Sequence, residues 1–118
     1  MECIYCKIVA NEAPADIVYE DELVMAFISK HQVSEGHTLV VPKNHFENLF
    51  DIPEEQVAAL GVAAKIVATK LRDEHGATGV NLLHASGKDA QQSVFHFHLH
   101  VVPRYPDDGL DMWIKQGL

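Results

Sequence analysis

The sequence is short of cysteine and of basic residues, and it lacks any long apolar run. No stretch approaches the roughly 18 consecutive apolar residues of a membrane-spanning helix, and no basic-then-apolar leader is recognisable. We therefore expect no membrane span, no signal peptide and a cytoplasmic location. Only 9 lysine and arginine residues stand against 17 acidic residues, giving a formal net charge of −8. Because an acidic surface repels phosphate backbones at long range, we expect no nucleic-acid partner.

The remaining composition is that of one globular domain. Of the 118 residues, 47% are hydrophobic and 22% are charged, which suits a single domain over residues 1–118 with a modest core. The two cysteines, Cys3 and Cys6, are separated by two residues. In a cytosolic chain this spacing indicates a metal site or a redox pair more often than a structural disulfide.

The spacing of apolar residues predicts strands, then one long helix, then further strands. A short helix over residues 3–11 precedes a β-hairpin formed by residues 17–19 and 23–28, and a third strand follows at 37–41. The long helix begins with Asp51 as N-cap, which Glu54 completes as a capping box, and Gly76 ends it. The helix buries an apolar stripe of Val57, Leu60, Ala64, Val67 and Leu71.

Two more strands, at residues 79–83 and 94–102, complete the predicted elements. This order favours an α+β fold, in which an antiparallel sheet carries the long helix on one face. Neither a repeat nor a second domain is recognisable in the sequence.

The last predicted strand carries three histidines that alternate with apolar residues. Successive side chains of a strand point to opposite faces, so His96, His98 and His100 are expected to share one face. Two chemistries use such an array. The three imidazoles can hold a catalytic metal, or one can attack phosphorus while its neighbours hold or protonate oxygens. Gln92 and Ser93 favour phosphate chemistry, because they place polar groups where an anion can be bound.

Five segments of the sequence resemble the histidine-triad family of nucleotide hydrolases and transferases. They occur in the family order and span residues 3–105, nearly the whole chain. The segments are CIYCKIV at 3–9, GHTLVVPKNH at 36–45, AQQS at 90–93, HFHLHVV at 96–102 and PRY at 103–105.

The resemblance implies a covalent mechanism at the α-phosphate of a purine nucleotide conjugate, either a phosphoramidate or a dinucleoside polyphosphate. His98 matches the attacking histidine, which forms a nucleotidyl-imidazole, and His100 matches the residue that contacts phosphate oxygens near the leaving group. Gln92 and Ser93 match the polar pair on the phosphate side. The positions that line the purine nucleoside pocket in relatives are here Ile4, Tyr5, Ile8, Phe27 and Ser29.

The resemblance also implies a structural zinc ion and a homodimer. Some bacterial members of the family bind zinc with residues that match Cys3, Cys6, His45 and His96, a set that suits closed tetrahedral coordination. The family fold is a five-stranded antiparallel sheet with one long helix and a short N-terminal helix. In the dimer, two such sheets join into one of ten strands, pairing through the long helix and the strand at residues 79–83.

Two residues depart from the family pattern near the substrate. Ser29 stands where relatives place an acidic residue that binds the ribose hydroxyls, and Ala85 stands where they place Asn or Gln. A hydroxyl cannot offer the two charged acceptors of a carboxylate. The main alternative to an enzyme is therefore a zinc-stabilised nucleotide-binding module whose activity is incidental.

Overall fold

The computed structural model describes residues 2–114, and its helices and strands confirm the predicted α+β fold. The elements are α1 Ile4–Val9, β1 Ile17–Glu20, β2 Val24–Ile28, β3 Thr38–Pro42, α2 Glu54–His75, β4 Gly79–Leu83 and β5 Leu99–Arg104. Within these residues the strands form one five-stranded sheet in the order β1-β2-β3-β5-β4, and every neighbouring pair is antiparallel. None of the helices in this part of the chain has the length and hydropathy needed to cross a membrane.

Helix α2 packs its apolar stripe against one face of the sheet. Leu60 and Val67 are fully buried among strand residues that include Val40 and Val101. Truncating a leucine in such a place to alanine typically costs roughly 2–5 kcal/mol. The helix ends as predicted at Gly76, whose left-handed φ of 73° suits glycine.

The predicted start of α2 is wrong. Its N-cap is Pro53, which makes no side-chain capping bond, so Asp51 and Glu54 do not form a capping box. The Asp51 carboxylate instead accepts the backbone N–H groups of Glu47 and Asn48, at 3.0 and 2.9 Å. A short acidic side chain can accept backbone N–H groups of a nearby turn as well as those of a helix, and here it accepts those of the preceding turn.

The last strand also differs from the prediction, because β5 begins at Leu99 rather than at residue 94. Its pairing with β3 starts at Val40 and Leu99. The next residues of β3 run to Pro42, which has no N–H to donate to a ladder. The segment before β5 therefore bonds elsewhere, with the Phe97 N–H donating to the Phe46 carbonyl at 2.7 Å.

The second face of the sheet is covered only in part, by α1. Tyr5 and Ile8 pack there against Phe27 and Leu39. Because α1 has only six residues, it leaves part of this face open beside the histidine segment. The candidate site lies on this face.

Candidate functional site

The three histidines of the triad lie on the α1 side of the sheet, although only His100 belongs to a strand. His100 pairs with Leu39, which pairs with Phe27, so these residues form a row across the sheet. The edge of the Tyr5 ring contacts His96 and His98, with ring centroids 5.7 and 5.2 Å apart. The shared face predicted from the alternation therefore holds, even where strand pairing stops.

His98 is held as a neutral imidazole with one nitrogen defined as a donor. Its Nδ1 lies 2.8 Å from the carbonyl oxygen of His96. Since a carbonyl can only accept, Nδ1 carries the proton and Nε2 keeps its lone pair. The side chain is 5% exposed, and burial lowers its pKa below the usual value although the bond to the His96 carbonyl opposes this, so the neutral form is favoured.

His96 has the opposite tautomer. Its Nε2 donates to the carbonyl of Pro42 at 2.8 Å, so the lone pair is on Nδ1. That nitrogen lies 3.3 Å from the Cys3 sulfur, 3.5 Å from the Cys6 sulfur and 3.2 Å from Nδ1 of His45. His96 thus turns its acceptor atom towards a group of other metal-ligating atoms.

Cys3, Cys6, His45 and His96 form a cluster with the geometry of a metal site. One ligand atom from each lies within 4.8 Å of the others. Bonds of roughly 2.0–2.3 Å in a zinc tetrahedron separate the ligand atoms by roughly 3.3–3.8 Å, close to the distances found here. Two sulfurs and two imidazoles are also the ligand types that zinc prefers. The residues present therefore fit a closed tetrahedral zinc ion.

The composition of the cluster disfavours the alternative in which His96, His98 and His100 together bind a metal ion. Among residues 2–114 it is the one such group of His, Cys, Asp and Glu side chains, and it contains neither His98 nor His100. Helix α1 brings Cys3 and Cys6 together, since Cys3 is its N-cap and Cys6 lies one turn on. Burial, together with the neighbouring Cys3, raises the pKa of Cys6 to about 11, and a bound cation would oppose this effect.

His100 lies beside His98 and has a histidine partner that sequence reasoning left without a role. Its Nδ1 is 3.0 Å from Nε2 of His37, and its ring centroid is 5.1 Å from that of His98. Burial, followed by the neighbouring imidazoles, lowers the pKa of His100 to about 4. His37 stands in the GHTLVVPKNH segment, so its place in that motif was the available signal.

His84 is another residue without a predicted role, and unlike His37 it lies in none of the motifs. It donates from Nδ1 to the carbonyl of His98 at 2.9 Å, and its ring stacks on Phe97 with centroids 4.4 Å apart. His84 and Ala85 line a cavity of about 280 Å³ that also contacts His37 and His100. This places an open space next to His100 of the triad.

Gln92 does not have the free amide expected of a phosphate ligand. Its side-chain oxygen accepts the Gly87 N–H at 2.8 Å, and its nitrogen donates to the carbonyls of Glu47 and Val94 at 2.7 and 3.1 Å. The residue is 6% exposed, and both of its N–H donors are used, so it holds the loop before the triad in place. Ser93, the next residue, is exposed.

The five residues expected at the nucleoside pocket line one cavity of about 220 Å³. Most of its wall is apolar, and it lies against Tyr5, whose ring edge contacts His98. Burial, with the Cys3 charge as a smaller cause, raises the pKa of Tyr5 to about 12, which keeps its hydroxyl neutral. The Ser29 hydroxyl accepts the His31 N–H at 3.2 Å. The expected residues that line the cavity are Ile4, Tyr5, Ile8, Phe27 and Ser29.

Comparison with protein families and relatives identifies the family of this chain. The family model described as HIT domain matches residues 10–107. The relative named Protein hit, from Bacillus subtilis strain 168, is 47% identical over 103 residues, which cover 87% of this chain and 71% of that protein. Adenylylsulfatase HINT3 of Arabidopsis thaliana is 32% identical over 117 residues, which cover 99% of this chain and 58% of that protein.

Solved structures give the same assignment. A member of the HIT family of Bacillus subtilis superposes with a TM-score of 0.90 at 43% identity, covering 99% of this chain and 84% of the other. A Zn-bound histidine triad family protein of Mycobacterium smegmatis gives 0.91 at 40% identity, covering 99% and 85%. The fold is that of a histidine-triad protein, and the chain belongs to the HIT family. Family membership makes it a protein of the nucleotide-binding hydrolase and transferase type.

Proposed function

We propose that this protein is a nucleotide hydrolase or nucleotidyl transferase that cleaves at the α-phosphate of a purine nucleotide conjugate. The conjugate is a phosphoramidate or a dinucleoside polyphosphate, and the reaction proceeds through a nucleotidyl-imidazole at His98. The observation that carries the proposal is the 2.8 Å bond from His98 Nδ1 to the His96 carbonyl. This bond places a proton on Nδ1, so in the neutral ring, which burial favours, Nε2 holds the lone pair that a nucleophile needs.

Two displacements at phosphorus complete the reaction. The Nε2 lone pair of His98 forms a bond to the α-phosphorus, while the bond from phosphorus to the leaving group breaks. That group departs with its electron pair, and an amine leaving group takes up a proton from solvent. Water, or an acceptor alcohol or amine, then attacks the same phosphorus and breaks the phosphorus–nitrogen bond. His98 regains its lone pair, and the attacking group loses a proton to solvent.

Neighbouring residues position the reacting groups. His84 donates to the carbonyl of His98 and so fixes the peptide that carries the nucleophile. His100, with His37 behind it, faces the 280 Å³ cavity, where a leaving group has room. Ser93 is proposed to contact phosphate oxygens, whereas Gln92 orders the loop from which Ser93 projects.

Zinc is proposed to bind at Cys3, Cys6, His45 and His96, where it would supply stability rather than reactivity. A closed site with four protein ligands has no open position for substrate. The ion would link α1 to the segment that carries the triad. These two parts of the chain are about ninety residues apart in the sequence. The reactive nitrogen of His98 belongs to a different residue and needs no contact with the metal.

The proposal is tested by intact-mass spectrometry after mixing the protein with adenosine 5′-phosphoramidate and quenching without acid. Wild type should carry one adenylyl group per chain during turnover. His98→Ala should carry none and lose turnover by orders of magnitude, because the first displacement has no nucleophile. His75→Ala, at the exposed end of α2, is the matched control and should behave as wild type. A folded His98→Ala with near-normal turnover would contradict the proposal. Nucleotide binding without adduct or turnover in wild type would favour the binding-module alternative.

A further inference from the structure

The nucleoside cavity has a single charged corner, made by Ser29, Lys30 and His31. The other residues that line the cavity are apolar apart from Tyr5, and no carboxylate is among those of the described chain that line it. We call these three residues the cationic corner. A lysine here opposes the overall sign of the chain, which has 9 basic against 17 acidic residues. Lys7 and Lys43 form ion pairs with glutamate side chains, whereas none of the ion pairs within residues 2–114 includes Lys30.

The cationic corner lies on the same face of the sheet as the triad, at a defined separation. Ser29 follows Phe27 by two residues, and Phe27 belongs to the row that runs through Leu39 to His100. Two strand spacings separate β2 from β5 along this row, a span of roughly 10 Å. The corner is also tied to the triad side by the Ser29 N–H, which donates to the His37 carbonyl at 2.9 Å.

A second cavity opens directly beyond the cationic corner. It has a volume of about 400 Å³ and shares five lining residues with the nucleoside cavity: Pro14, Ala15, Ile28, Ser29 and Lys30. The Asp16 carboxylate lines this second cavity and not the first. A nucleotide in the first cavity therefore has room at the corner for a substituent that projects from its sugar.

We propose that the cationic corner binds a phosphate carried on the 2′ or 3′ oxygen of the ribose. This inference rests on the proposed function, because it requires the base in the apolar cavity and the 5′-phosphate at His98. The ammonium group of Lys30 supplies the charge for a second phosphate, and His31 lines the same cavity. Ser29 already accepts the His31 N–H, which leaves its own O–H proton to donate to a phosphate oxygen. The preferred substrates are thus conjugates of nucleoside 3′,5′- or 2′,5′-bisphosphates.

Isothermal titration calorimetry tests this inference without any need for turnover. Adenosine 3′,5′-bisphosphate and adenosine 2′,5′-bisphosphate are each compared with adenosine 5′-monophosphate on the intact protein. We expect at least one bisphosphate to bind about tenfold more tightly than the monophosphate. The preference should shrink several-fold in Lys30→Met, and it should also shrink at high salt, because the corner is open to solvent. Lys65→Met removes the same charge from the exposed surface of α2 and should keep the preference.

The outcomes separate this inference from the proposed function. Equal affinity for the three nucleotides, a preference that survives Lys30→Met, or no measurable binding of either bisphosphate overturns the inference. The adenylyl adduct at His98 is measured independently. An adduct without the bisphosphate preference leaves the proposed function standing and rejects the cationic corner. A bisphosphate preference without an adduct supports binding at the cationic corner and rejects the covalent reaction at His98.

Discussion

His98 donates its Nδ1 proton to the carbonyl of His96 at 2.8 Å, and His96 donates its Nε2 proton to the carbonyl of Pro42 at the same distance. Two residues that are neighbours on one face of the sheet therefore present opposite nitrogens. His98 turns its lone pair on Nε2 to the position that the proposed attack on phosphorus requires, and His96 directs Nδ1 towards Cys3, Cys6 and a second histidine. One short segment thus carries both the proposed nucleophile and a residue of the candidate metal cluster, and a main-chain carbonyl sets the tautomer of each.

Removing one thiol should lower both metal content and stability. We expect wild type, purified without chelator, to contain one zinc per chain, and Cys3→Ser to contain far less. Because metal binding adds to the free energy of unfolding, the melting temperature of Cys3→Ser should fall by roughly 10 °C or more. Elemental analysis and thermal unfolding measure the two effects. Ser34→Ala removes a polar side chain outside the cluster and should keep full zinc content. Wild type with well below one zinc per chain would count against the site.

Acid should destabilise the protein through buried imidazoles. Burial lowers the pKa of His100 from 6.5 to about 4, and it also lowers the pKa of His37. Between these values the unfolded chain binds protons that the folded chain does not, so the free energy of unfolding falls as the pH drops from about 6.5 to about 4. Urea unfolding at both ends of this range should show a smaller acid loss for His100→Gln than for wild type. His75→Gln, which alters an exposed histidine, should lose as much as wild type. Equal losses in His100→Gln and wild type would show that His100 does not titrate as described.

The fold and the members of the metal cluster could be predicted from the sequence, but the hydrogen bonds that hold the site together could not. The alternation around His98 and the Cys3 and Cys6 spacing are local patterns, and the family resemblance brought distant segments together. The roles of His84 and Gln92 depend on carbonyl groups supplied by other loops, which no local pattern encodes. The start of β5 was misjudged for a related reason, since apolar alternation continues past the point where a partner strand ends.

Ser29 should make the sugar preference weak, and a carboxylate should sharpen it. A charged acceptor typically makes a hydrogen bond of about 1.5–3 kcal/mol, against roughly 0.5–1.5 kcal/mol for a neutral one. Ser29→Asp should therefore raise the preference for ribose over 2′-deoxyribose by about tenfold. The measurement is the ratio of kcat/KM for matched ribo- and deoxyribonucleoside phosphoramidates, with the uncharged Ser29→Asn as the control. A wild-type preference of about a hundredfold would mean that another group, such as His31, already binds the hydroxyl.

We expect a homodimer in which the β4 edges of two copies adjoin and the sheets combine into ten strands. Strand β4 is an edge strand that pairs with β5 alone in the described sheet, and its Leu82 is 56% exposed. On the same side of the sheet, Val62 of α2 is 61% exposed. An open edge beside apolar side chains favours association. Sedimentation should give twice the chain mass for wild type at micromolar concentration and the monomer mass for Leu82→Lys. Ile17→Lys, on the opposite edge strand, should remain dimeric. A monomeric wild type would contradict this expectation.

The covalent route through His98 is tested most directly by comparing the configuration at phosphorus in the substrate and in the product. An adenosine 5′-phosphoramidate with one sulfur on the α-phosphorus, of known configuration, is hydrolysed by wild type in ¹⁸O-labelled water. Each in-line displacement inverts the phosphorus, so attack by His98 Nε2 followed by attack by water should give overall retention. The configuration of the labelled thiophosphate product is then determined by ³¹P NMR. Retention is the result we predict, whereas inversion would mean that water attacks directly and that His98 forms no covalent intermediate.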